Sequence, residues 1–136
     1  MTPHLLLALQ AAGLWSGLLI LLLLVLSGVV SSGRRRHLVS FGDGGNPELQ
    51  SATRAFGNCV EYAAPGMAAM GLLAVLGAEP WMVHAVGGTL FAGRIIHALG
   101  LLFQTGPSLG RVLGMGLTWI SLLAAAAVGL IAYAIV

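Results

Sequence analysis

The chain has 136 residues, of which 58% are hydrophobic and only 7% are charged, and it contains six arginines, no lysine and four acidic residues. Soluble domains typically carry about 25% charged residues, so this composition excludes a water-facing globular fold. The net charge of +2 is too small and dispersed for a nucleic-acid surface, and the single Cys59 excludes an intrachain disulfide or a paired-cysteine metal motif.

The length accommodates four membrane spans of about 20 residues each, joined by short connections. We therefore predict an all-α, integral membrane four-helix bundle, with residues 1–136 forming a single domain. The apolar run from Leu5 to Val30 is the first helix, and it is too long for the core of a signal peptide, so we expect it to be retained. Residues 31–46 are rich in turn formers and predict a loop that contains Arg34, Arg35 and Arg36.

The second helix has a clear start signal at Asn46, Pro47 and Glu48. These residues supply a capping side chain, a proline at the first helical position and an acid near the positive end of the helix dipole. Turn-forming residues at 77–80 and 104–108 then divide the remaining sequence into predicted helices at 47–77, 81–103 and 108–136.

A polar stripe on the second helix interrupts this apolar sequence. Arg54, Asn58 and Glu61 are spaced at i, i+4 and i+7, so they share one helix face, with Tyr62 beside it. A charged side chain at the centre of a membrane helix costs on the order of 3 kcal/mol, so such residues usually face a protein interior or a water-filled cavity. The stripe therefore indicates a functional or inter-helix contact.

The distribution of arginines predicts the orientation in the membrane. Arginines flank the first and third connections, whereas the second connection offers only Glu79, so the first and third loops should be cytoplasmic. Antiparallel packing would then place six polar residues at one cytoplasmic depth. This predicted polar layer consists of Arg54, Asn58, Glu61, Arg94, His97 and Arg111.

The polar residues resemble those of a known family. Arg54-Ala55, Asn58, Glu61, Tyr62 and Pro65, followed by the segment 93–97 (Gly-Arg-Ile-Ile-His), are similar to the motifs of the MAPEG family, the membrane-associated proteins of eicosanoid and glutathione metabolism. The second helix resembles leukotriene C synthases and microsomal glutathione transferases, and the third resembles microsomal prostaglandin E synthases. Residues 42–49 are similar to bacterial members, which suggests a bacterial inner membrane.

The resemblance implies a homotrimer that binds glutathione, as a co-substrate, between neighbouring subunits near the cytoplasmic side. It also implies a role for Arg111, at the start of the fourth helix, in activating the thiol. Leu101 departs from the pattern, because several family enzymes have a tyrosine there. By the resemblance, the glutathione contacts are Arg34, Arg54, Asn58, Glu61, Tyr62, Arg94 and His97.

The residue types suit this ligand on chemical grounds. Glutathione carries two carboxylates, an ammonium and a thiol, so its site requires guanidinium groups and an acid, which Arg54, Arg94 and Glu61 supply. A guanidinium such as that of Arg111 stabilises the thiolate, which is the nucleophile.

Structural alternatives remain open for the same residues. Arg54 and Glu61 are also suited to an ion pair, Arg94 and Asn58 to fixing the register of two helices, and Arg34 to Arg36 to topology or lipid headgroups. His97 alone is more often a packed polar residue. His4 and His84 have no ligand-like neighbours in the sequence, so no metal site is predicted.

Three functions are consistent with the sequence. The first is a glutathione-dependent transferase or peroxidase acting on a lipophilic electrophile that enters from the bilayer. The second is a non-catalytic lipid-binding or scaffold member of the same family, which Leu101 favours. The third is an unrelated membrane protein such as a transport subunit, although the chain has no repeated half that would support it.

Overall fold

The computed structural model of the chain describes residues 2–104 and 106–134. These residues contain four α-helices and no strand, and three of the helices are long and apolar enough to cross a membrane. The predicted all-helical membrane bundle is thereby confirmed. Thr105 of the last predicted turn, and Ile135 and Val136 of the last predicted helix, lie outside the described residues. The helices are α1 Pro3–His37, α2 Pro47–Val75, α3 Pro80–Leu102 and α4 Leu109–Ala134.

Helix α1 is longer than predicted, and it includes the arginine run that the sequence placed in a loop. The prediction was wrong because the helix does not end where the apolar run ends. Gly33 packs against Leu49 of α2, and four cationic residues in the last turn favour the negative end of the helix dipole. At 35 residues α1 is roughly 52 Å long, so it extends well beyond a hydrocarbon core of about 30 Å.

The start of α2 is confirmed, and its capping residue also contacts the end of α1. The side-chain oxygen of Asn46 accepts a hydrogen bond from the Leu49 backbone N–H (3.1 Å), and its amide donates to His37 Nδ1 (3.2 Å). Glu48 lies within 3.1 Å of Arg36 and 3.3 Å of His37. The first connection is therefore held by side chains from both helices.

Helices α2 and α3 form the centre of the bundle, and α1 and α4 lie on opposite sides of them. Among the described residues, α1 and α4 make no contact with each other, whereas α3 packs against all three other helices. At the end of the bundle remote from the arginine run, His4 pairs with Glu79 at 3.0 Å and Trp15 Nε1 donates to His84 Nδ1 at 3.1 Å. Helix α2 contacts both α3 and α4.

Helices α3 and α4 approach so closely that only glycine fits at several contacts. A Cβ atom on Gly100 would lie 2.7 Å from the Arg111 backbone nitrogen, and one on Gly114 would lie 2.5 Å from the His97 backbone nitrogen. Small residues permit such backbone contact between membrane helices. The contact at Gly114 brings the first turns of α4 directly against His97.

Candidate functional site

Arg94 is the central residue of the polar layer, and it is only 1% exposed. Its Nη1 donates to the Asn58 side-chain oxygen (2.7 Å), its Nε donates to Thr118 Oγ1 (2.9 Å), and its Nη2 reaches the Gly114 carbonyl oxygen at 3.5 Å. Thr118 in turn donates to the same Gly114 carbonyl at 2.8 Å. One guanidinium on α3 therefore binds acceptors on both α2 and α4.

The α2 side of this network continues toward the surface. Asn58 Nδ2 donates to Glu61 Oε2 at 3.4 Å, and the Arg94 guanidinium carbon lies 5.1 Å from the centre of the Tyr62 ring. A cation at this distance from an aromatic face is stabilised by the ring quadrupole. The Asn58 side chain therefore hydrogen-bonds both to a buried cation and to an exposed carboxylate.

These contacts distinguish between the structural alternatives. Arg94 and Asn58 do join α2 to α3, and Thr118 extends that link to α4. Within the part of the chain that the structure describes, Arg54 and Glu61 form no ion pair, because the only pairs within 4.0 Å involve Glu48 and Glu79. The geometry therefore indicates that Arg94 fixes the register of the helices, whereas Arg54 and Glu61 do not form the structural ion pair.

Arg54 and Glu61 lie on the outer face of α2, and both are exposed. Glu61 is at the middle of α2. The same face carries small residues: Gly57 has no neighbour within 4 Å of an added Cβ, and Ala64 and Ala68 are exposed. Charged and small side chains thus share a face that no other helix of the chain covers.

His97 and Arg111 line a second part of the polar layer, on the α3–α4 side. They border a groove of about 520 Å³ whose other walls include Val112, Met115 and Trp119. The Arg111 side chain donates from Nη1 to the Gly106 carbonyl at 3.0 Å, and no other hydrogen bond of its guanidinium occurs among the described residues. The groove therefore combines a cationic rim with an apolar wall.

The start of α4 fixes the position of Arg111. Ser108 Oγ accepts a hydrogen bond from the Arg111 backbone N–H (3.2 Å) and donates to the Gly100 carbonyl of α3 (3.3 Å). Ser108 therefore caps α4 and ties it to α3, so that Arg111 lies in the first turn, near the positive end of the helix dipole.

The remaining predicted residues lie at different distances from this region. His97 and Arg111 line one groove, and Arg94 contacts Asn58 and Tyr62. Arg34 is at the end of α1 and lines a separate groove. Leu101 is partly buried and packs against the main hydrophobic core. No cluster of three potential metal ligands occurs among the described residues.

Sequence reasoning missed Thr118, which is fully buried and holds Arg94 Nε. A single threonine in an apolar helix carries little signal of its own. The spacing of Thr118 from Gly114 is a usable signal, because the two residues are one helical turn apart on the same face. The close contact at Gly114 therefore brings Thr118 to Arg94.

Replacing Asn58 by leucine should destabilise the protein, because it removes the 2.7 Å acceptor of a buried guanidinium. Hydrogen bonds to charged groups contribute about 1.5 to 3 kcal/mol, so we expect Asn58→Leu to lower the free energy of unfolding by about 2 to 3 kcal/mol. Denaturant titration in mild detergent, followed by circular dichroism, measures this. Gln50→Leu, at an exposed position of the same helix, is the matched control, and equal effects of the two would contradict the role given to Asn58.

Fold and site together define this chain as a small all-helical integral membrane protein. A polar network joins α2, α3 and α4, a part-buried arginine borders the groove at α4, and exposed charges lie on α2. The sequence model of the MAPEG family matches residues 12–131. The chain belongs to the MAPEG family.

Two curated relatives extend this result. The chain is 41% identical over 114 residues to "Inner membrane protein YecN" of Escherichia coli K12, an alignment that covers 84% of this chain and 86% of the relative. The protein of the same name from E. coli O6:H1 matches to the same extent. No solved structure gives a significant match to this chain.

Proposed function

We propose that this protein is a glutathione-dependent membrane transferase or peroxidase that acts on lipophilic electrophiles. The observation that carries the proposal is that Arg54 and Glu61 are both exposed on α2 and form no ion pair with each other, in a chain of the MAPEG family. A ligand with carboxylates and an ammonium group satisfies both side chains at once, and glutathione has these groups.

The outer face of α2 also supports a homotrimer. An exposed carboxylate at the middle of a membrane helix is costly, and the small residues Gly57, Ala64 and Ala68 on the same face suit close contact with another helix. A second copy of the chain would cover this face and exclude lipid from Glu61. The glutathione site would then lie between subunits, as the family resemblance implies.

Each residue of the site has a distinct chemical role in this proposal. Arg54 binds a glutathione carboxylate, and Glu61, oriented by Asn58, binds the ammonium group. Tyr62 supplies a hydroxyl beside them. Arg94 is a positioning residue, because its guanidinium nitrogens already contact protein acceptors.

The groove at His97 and Arg111 is suited to the reacting end of the ligand. Arg111 has guanidinium nitrogens to spare, and a nearby guanidinium in a partly dry site stabilises the thiolate. His97 is buried to 7% exposure without a hydrogen-bond partner among the described residues, so its ring is available to a ligand group. The apolar walls at Met115 and Trp119 suit a lipophilic electrophile arriving from the bilayer.

The proposed setting is the bacterial inner membrane, with the first and third loops in the cytoplasm. The name of the E. coli relative supports the inner membrane as the setting, and the arginine distribution supports the orientation. It places the polar layer near the cytoplasm, where a soluble thiol has access to it.

Titration calorimetry on detergent-purified protein tests the proposal. We expect saturable glutathione binding by the wild type and at least tenfold weaker binding by Arg54→Ala, since truncating one partner of a charge pair costs about 2 kcal/mol or more. Arg36→Ala removes the same charge outside the site, where Arg36 pairs with Glu48, and should bind as the wild type does. Absence of wild-type binding at millimolar glutathione would refute the proposal.

A non-catalytic lipid-binding role is the second candidate, and Leu101 favours it. The leucine supplies no hydroxyl at a position where the family resemblance implies a glutathione contact. Retention of a hydrophobic ligand in the groove, with no detectable glutathione binding, would establish this alternative.

A further inference from the structure

A basic groove at the end of α1 shares no lining residue with the groove at His97 and Arg111. It has a volume of about 550 Å³ and opens broadly to the surroundings. Its lining combines hydroxyls, guanidinium groups and aliphatic side chains: Ser31, Arg34, Arg35, Leu38, Val39 and Ser40.

The arginines of this groove are not needed to terminate the helix. Leu38 adopts a left-handed backbone conformation (φ 56°), and the backbone N–H groups of Leu38 and Val39 donate to the carbonyls of Arg35 and Arg34 at 3.4 and 3.0 Å. This is a backbone closure of the helix end. The guanidinium groups are therefore left for other partners.

Two of the three consecutive arginines also lack an acidic partner. Arg36 pairs with Glu48 at 3.1 Å, whereas among the described residues no carboxylate lies within 4.0 Å of Arg34 or Arg35. Arg34 Nε is buried and makes no hydrogen bond, and Arg35 Nε makes only a long one, 3.4 Å, to the Ser31 carbonyl. The groove thus presents two cations without an acidic partner.

The position of the groove matches the headgroup layer of a bilayer. Arg34 follows Val30, the last residue of the apolar run, by four residues, or about 6 Å along the helix. The headgroup layer of one leaflet is roughly 5 to 8 Å thick.

We infer that this groove binds the phosphate of an anionic phospholipid, with Arg35 and Arg34 as the phosphate ligands. Guanidinium groups bind phosphate oxygens with two parallel hydrogen bonds, and no acid in the groove opposes the negative charge. An anionic lipid would compensate both arginines, whereas a zwitterionic lipid brings its own cation. The inference is independent of the proposed glutathione chemistry.

Native mass spectrometry of the full chain in mild detergent tests this inference. The protein is mixed with equal amounts of phosphatidylglycerol and phosphatidylcholine that carry the same acyl chains, and the bound lipids are counted. We expect the wild type to retain phosphatidylglycerol preferentially. Arg35→Ala should reduce that preference about fivefold, as expected for one basic residue at a membrane surface.

The matched control is Arg36→Ala, which removes the same charge one residue away but outside the groove. It should keep the wild-type preference, and equal losses in both variants would overturn the inference in favour of non-specific attraction. Arg35→Gln, which keeps the side-chain length, provides a second variant should Arg35→Ala not fold, as judged by circular dichroism.

Two further results would overturn the inference. One is equal retention of the two lipids by the wild type. The other is displacement of phosphatidylglycerol by glutathione, which would assign the groove to the thiol ligand through Arg34. Loss of lipid preference in Arg35→Ala with unchanged calorimetric glutathione binding would support the lipid site. The proposed function would then be decided by its own calorimetric test.

Discussion

Gly114→Ala should lower the free energy of unfolding by about 3 kcal/mol, the upper end of the usual cost of overpacking. The added Cβ would lie 2.5 Å from the His97 backbone nitrogen and 2.7 Å from the Gly93 carbonyl oxygen. Both are backbone atoms of α3, so no side-chain rotation relieves the contact and the two helices must separate. Because the Gly114 carbonyl accepts from Thr118, the separation also disturbs the hydrogen bonds around Arg94.

Gly129→Ala is the control for this prediction. Gly129 is on the same helix, and a Cβ there has no neighbour within 4 Å, so the change should be neutral or stabilise by up to about 1 kcal/mol through helix propensity. Denaturant unfolding in detergent measures both variants. Equal stability of the two would show that α3 and α4 do not depend on close backbone contact at Gly114.

Arg111→Ala should reduce the rate at which glutathione displaces the halide of a hydrophobic aryl halide about 100-fold or more, the usual effect of removing one preorganised electrostatic group. Binding of glutathione should weaken far less, because the proposed contacts of Arg54 and Glu61 with its carboxylate and ammonium groups are unchanged. The expected pattern is therefore a loss in kcat with a small change in KM. Steady-state kinetics in detergent micelles measures the two separately.

Two variants sharpen that test. Arg111→Lys keeps a positive charge near the thiol and should recover part of the rate, although an ammonium lacks the planar fork of a guanidinium. Arg36→Ala should leave the rate unchanged. An Arg111→Ala variant as active as the wild type would remove Arg111 from the mechanism.

The number and order of the helices could be predicted from the turn-forming and capping residues in the sequence. Asn46, Pro47 and Glu48 predicted the start of α2 to the residue, since a cap and a helical proline act locally. The end of α1 was not predictable from hydropathy, because a helix continues into the headgroup region when packing and charge stabilise it. Gly33, packed on Leu49, is a tertiary contact that no local pattern contains.

The polar layer was predictable as a set of residues, but their separate roles were not. Arginine, asparagine and glutamate serve equally well in a ligand site and in a structural network. Only the three-dimensional contacts separate Arg94, which is enclosed by Asn58 and Thr118, from Arg54, which is exposed. Burial depends on how α4 docks against α3, and this in turn depends on glycine contacts spread over two helices.

The ultraviolet absorbance of the thiolate tests the central claim most directly. Purified wild-type protein is mixed with glutathione near neutral pH, and the difference spectrum against the separate components is recorded. Free thiols have a pKa of about 8.5 and are mostly protonated at this pH. We predict a saturable thiolate signal that Arg111→Ala abolishes and Arg36→Ala preserves. Saturable glutathione binding without any thiolate signal would contradict the claim that this protein activates the thiol for attack on an electrophile.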